Sequence, residues 1–156
     1  MSSLECYIGE ERQYMRDKAR LEAHALALKD SEFVQLTLTV QTEIKERVEY
    51  LRQKFGKDAV EANFQNSEQY FISRGDDSTQ VLTITFDSLR HEITFKKDNG
   101  PEPVNRVLRI EVRDNNRLVL TNRKAGVELG VTSYEKLDKI VHPSLNALFG
   151  LREVKA

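Results

Sequence analysis

The stretch FVQLTLTV, residues 33–40, reads two ways, and the choice decides the fold. Val34, Leu36, Leu38 and Val40 alternate with Gln35, Thr37 and Thr39 as on a half-buried strand, and threonine favours strands. Yet Phe33, Leu36 and Val40 also open a series that runs on through Ile44, Val48, Leu51 and Phe55. Those positions fall 3.67 residues apart on average, with Phe33, Ile44 and Phe55 eleven apart, which is the period of a nearly straight α-helix. A strand cannot explain the four turns that follow, so the stretch is expected to be helical. Val34 and Leu38 then form an additional apolar face, and burial on two sides is implied.

The surroundings favour the same choice. Between Gly9 and Gly56 there is neither glycine nor proline, and Glu, Arg, Lys, Leu and Gln, all good helix formers, dominate. Upstream, Tyr7, Tyr14, Leu21 and Leu28 recur every seven residues, thickened by Ala25 and Leu26. KDSE at 29–32 offers the one plausible break, with Asp30 or Ser31 as N-cap. Residues 1–56 are therefore expected to form an antiparallel helical hairpin, in preference to one helix of about 45 residues, a length rare in small domains.

From Tyr70 the period changes to two. Leu82, Ile84 and Phe86 oppose Val81, Thr83 and Thr85; Leu89, His91, Ile93 and Phe95 oppose Arg90, Glu92, Thr94 and Lys96; Leu108, Ile110 and Val112 oppose Val107, Arg109, Glu111 and Arg113. Turn residues separate these runs, so residues 69–131 are expected to form an antiparallel meander of five or six strands with one apolar and one polar face. A sixth strand would come from KAGVELGV at 124–131. At DNN, 114–116, a three-residue loop pairs Val112 with Leu118 and Ile110 with Leu120, matching apolar faces; a two-residue loop would mismatch them. Residues 132–150 read as a C-terminal helix, with Thr132 and Glu135 at capping-box spacing, Pro143 kinking it or beginning a second helix, and Gly150 where a C-cap would sit. The expected class is α+β: one domain over 1–156, helices covering one face of the sheet.

Composition narrows function mainly by exclusion. The lone Cys6 rules out an intrachain disulfide and fits a reducing compartment. Residues 1–30 show no signal-peptide pattern, and no apolar run approaches a membrane span, so a cytoplasmic protein without membrane contact is expected. His24, His91 and His142 share no metal-ligand spacing, and no metal or cofactor is expected. There is no GxSxG, glycine-rich phosphate loop or HExxH, which weighs against an enzyme. Two tripeptides in SRGDDSTQ, residues 73–80, match adhesion and polymerase motifs. Their residues are those of a tight turn between strands, and turn chemistry accounts for them.

Charge is uneven. Residues 1–68 carry ten basic and thirteen acidic side chains, and residues 90–124 carry nine basic and five acidic. Arg90, Lys96, Arg109 and Arg113 are expected on the polar sheet face, with Arg117, Arg123 and Lys124 nearby, as a surface for a protein or anionic partner. Nucleic acid is disfavoured, because threonines rather than stacking aromatics sit among the charges and Glu92 and Glu111 interleave as ion-pair partners. The abundance of apolar stripes on the helices points to a homodimer. The first expectation is thus a non-enzymatic interaction module. The alternative is a small-molecule binder or simple enzyme with an apolar pocket lined by Phe86, His91 and Phe95.

Overall fold

The computed structural model describes residues 3–98, 103–113, 117–122, 127–130 and 137–149. FVQLTLTV is helical, within a single α-helix, α1, that spans Ser3–Phe55. Within that stretch the hydroxyl of Thr39 donates to the carbonyl of Gln35, and just beyond it that of Thr42 donates to the carbonyl of Leu38, both at 2.9 Å. At 1.5 Å per residue α1 is about 80 Å long.

The expected hairpin does not form. KDSE passes through the break site in helical conformation, and Asp30 caps nothing. Its carboxylate instead lies 2.6 Å from Nε2 of His91, a residue 61 positions away. No glycine or proline forces a turn there, and a distant imidazole takes up Asp30, one of the two side chains suited to start a new helix. The apolar series beyond it, Phe33, Leu36, Val40, Ile44, Val48 and Leu51, is buried as its 3.67 period requires.

After Gly56, whose φ of 114° turns the chain, seven strands follow among the described residues. They are β1 (Val60–Asn63), β2 (Gln69–Arg74), β3 (Val81–Asp87), β4 (Glu92–Lys97), β5 (Val104–Arg113), β6 (Arg117–Asn122) and β7 (Val127–Gly130). They pair antiparallel in chain order, one meander of seven rather than five or six. The additional strand is β1, whose four residues, VEAN, alternate apolar and polar but are too few to stand out. The β5–β6 register is the one that the three-residue loop demands: Val112 pairs with Leu118 and Ile110 with Leu120.

One boundary differs from the alternation pattern. β4 begins at Glu92, so Leu89 and His91 belong to the preceding turn. The Asp87 carboxylate accepts the backbone N–H groups of Leu89 and Arg90 and draws the chain into that turn, leaving Leu89 91% exposed.

The described part of the C-terminal helical segment runs from Leu137 to Phe149. α2 covers Asp138–Asn146, includes Pro143, and continues as a 3₁₀ turn at Ala147–Phe149. The proposed capping box at Thr132 and Glu135, and Gly150, lie outside the described residues. α2 and the later part of α1 cover the same apolar sheet face, over Tyr70, Ile72, Leu82, Ile84, Ile93, Phe95, Leu108 and Ile110. Arg47 fastens the two helices by donating from Nε and Nη2 to Oδ1 of Asn146, at 3.2 and 2.8 Å. Phe55 stacks on Phe149 with ring centroids 4.7 Å apart.

Candidate functional site

The polar sheet face was the expected partner surface, and strand register determines what its charges do. Asp87, Glu92, Arg109, Thr121 and Glu128 form one row across β3 to β7. Within it Arg109 Nη2 lies 2.6 Å from Glu92 Oε1, and Glu92 is nearly buried. A carboxylate in that position must be paired to be tolerated, which makes Arg109 structural first. Arg90 projects from the turn before β4, 3.9 Å from the Asp87 carboxylate, and Lys96 lies 3.9 Å from that of Asp98. The three basic residues therefore do not form one cationic patch; each answers a neighbouring acid. Arg113 and Arg117 face one another across β5 and β6, but their side chains lie outside the described residues, as do Arg123 and Lys124 altogether. Between β2, β3 and β4 an open groove of about 520 Å³ runs past Thr83, Thr85, Thr94 and Lys96. Its hydroxyls and ammonium group suit a polar surface contact.

The three pocket candidates are packed on the opposite side. Phe95 is fully buried, and Phe86 meets Tyr70 edge to face at 5.1 Å. His91 is also buried, but as a junction: its φ is 56°, its ring stands edge-on to Phe33 at 5.8 Å, and Nε2 meets Asp30. Histidine tolerates this left-handed backbone better than most residues. The ring thereby ties the β3–β4 turn to α1 at the point where the helix leaves the sheet.

The SRGDDSTQ turn has a full structural explanation. Arg74 grips Asp76 with two hydrogen bonds of 2.8 Å. Gly75 donates its N–H to Ala59 at 2.8 Å, and a Cβ there would run into the carbonyl oxygen of Asp58. The hydrogen bond from Arg74 holds the Asp76 carboxyl below the usual aspartate range. Thr79, donating to Asp77 at 2.6 Å from its hydroxyl and at 3.1 Å from its backbone, does the same there. Among the described residues no group of three or more His, Cys, Asp or Glu side chains could hold a metal ion. None of their helices is long and apolar enough to cross a membrane.

What the sequence pattern did not disclose is the overhang of α1. Residues 7–24 are exposed all round, and the helix meets the domain only from about Lys29. Tyr7, Tyr14, Met15 and Leu21 stand 58–64% exposed on this projecting arm. Val34 and Leu38, on the far side of α1 from the sheet, are exposed as well, so burial on two sides is not met within one chain. The heptad of tyrosines and leucines was visible in the sequence. Its exposure was not, because a hairpin would have folded it back onto the domain.

Compared with protein-family models, with curated proteins and with solved structures, the chain matches none of them.

Proposed function

We propose that this chain is a non-enzymatic protein-interaction module that dimerises through α1 and offers its mixed-charge sheet face to a further macromolecule. The observation that carries it is the arm. In proteins most helical stability comes from the packing of an amphipathic apolar face. Residues 7–24 have an apolar stripe but nothing beneath it, and a second protein chain is the natural cover. Val34 and Leu38 add further apolar surface to the same helix. The threonine-lined groove, with Arg90 and Lys96 close to their acidic neighbours, suits a protein surface of mixed charge better than a nucleic-acid strand. The single cysteine fits a cytoplasmic setting.

The test is native mass spectrometry with light scattering over a wide concentration range. A dimer is expected, converted to a folded monomer by Tyr14→Asp with Leu21→Asp. A monomer at all concentrations, with undiminished helical signal, would sink the proposal.

A further inference from the structure

The arm's exposed face is built from three seven-residue series. Tyr7, Tyr14 and Leu21 form one edge; Ile8, Met15 and Glu22 form the other; Glu11, Lys18 and Ala25 run down the centre. At 100° per residue all nine lie within one side of the helix. The centre line therefore carries an acid and a base seven residues apart, and neither Glu11 nor Lys18 takes part in an ion pair among the described residues. Such a face chooses its partner by charge.

Resting on the dimer reading above, we infer that two copies of the arm pair antiparallel about a two-fold axis that passes between Tyr14 and Met15. In that register Glu11 lies opposite the partner's Lys18, and by symmetry Lys18 lies opposite the partner's Glu11. Tyr14 and Met15 gather with their own copies at the axis. Because such an axis brings like edges together, Tyr7 meets the partner's Leu21 along one edge and Ile8 meets the aliphatic stem of the partner's Glu22 along the other. The alternatives fail on the same residues. A parallel, in-register pair sets Glu11, Lys18 and Glu22 each against its own copy. Moving the antiparallel axis half a heptad either way brings Glu11 onto the partner's Glu11 or Lys18 onto the partner's Lys18. Central charges that penalise wrong registers are how paired helices specify orientation. The second copy is thus the occupant that these charges fit, and the two sheet domains are held at opposite ends of the paired arms.

Engineered cysteines read the register directly, in a background where Cys6 is replaced by alanine. Oxidation of a mixture of Tyr7→Cys and Leu21→Cys chains should give the mixed disulfide. Leu21→Cys alone should give none, because antiparallel pairing separates those two positions by roughly 20 Å along the axis. Glu11→Lys should raise the dimer dissociation constant roughly tenfold, and adding Lys18→Glu should restore it. Rapid cross-linking of Leu21→Cys alone would replace this arrangement with a parallel one. A dimer in which neither sample cross-links, or in which the double charge swap fails to rescue, would overturn the register and leave the dimer standing. A monomeric mass before oxidation would instead remove the dimer itself.

Discussion

The two ends of α1 share a chain, a helix and a composition, yet they live in different surroundings. From Phe33 to Leu51 the apolar stripe is continuous and buried against the sheet and α2. From Tyr7 to Leu21 the stripe has apolar edges with Glu11 and Lys18 along its middle, and it is exposed. Helix propensity does not distinguish them. What does is whether a charge sits at the centre of the face: an intrachain core excludes it, whereas a surface that must recognise a partner can use it. One helix can thus belong to a domain at one end and to an interface at the other.

Ile44→Ala against Leu21→Ala is the most severe way to break this comparison. Ile44 is fully buried, and its truncation should cost about 2–5 kcal/mol in urea unfolding. Leu21→Ala should stay within about 0.5 kcal/mol when the protein is dilute enough to be monomeric. Equal losses would mean that the arm belongs to the core after all.

A smaller effect is expected just beyond the packed end of α1, where Gly75 approaches the backbone of Asp58 and Ala59. Gly75→Ala should cost about 1–3 kcal/mol by forcing those segments apart. The arm should feel none of it, so helical signal from residues 7–24 should persist where the sheet has loosened. Hydrogen exchange resolves the two.

The smallest effect is a matter of pH. Because Asp76 titrates lower in the folded chain than in the unfolded one, its bond to Arg74 contributes stability above the ordinary aspartate range. That contribution disappears as pH falls through the folded value. The difference in melting temperature between wild type and Asp76→Asn should accordingly shrink on acidification, while dimerisation through the arm shows no dependence on Asp76. A gap that widens in acid would mean that the turn is held by something other than this pair.

Much of this architecture was legible in residue spacing. The 3.67 period identified FVQLTLTV as helix against its own alternation, and matched apolar faces selected the β5–β6 register. The features that escaped are those set by distant partners or by too few residues. VEAN alternates over only four residues, too few to mark a strand, and β1 pairs along its whole length with β2. KDSE carries proper capping residues, but His91 claims the Asp30 carboxylate across the fold. Leu89 continued the alternation on paper, while the Asp87 carboxylate was already turning the backbone. For the candidate site, the basic residues were visible singly. That Arg109 is engaged by Glu92 follows from strand register, and the arm's exposure follows from a turn the chain does not make.

The meander has one further consequence, for the order in which the protein is assembled. Every strand pairs with its neighbour in sequence, so the sheet can close over short lengths of chain as each strand appears. The α1–α2 contact is different: Arg47 and Asn146 are 99 residues apart. During synthesis the sheet-facing stripe of α1 leaves the ribosome first and receives its last cover only when α2 follows. At 5–20 residues per second that interval lasts roughly five to twenty seconds. The nascent chain thus has its greatest need of shelter in the segment that later becomes its most deeply buried helix.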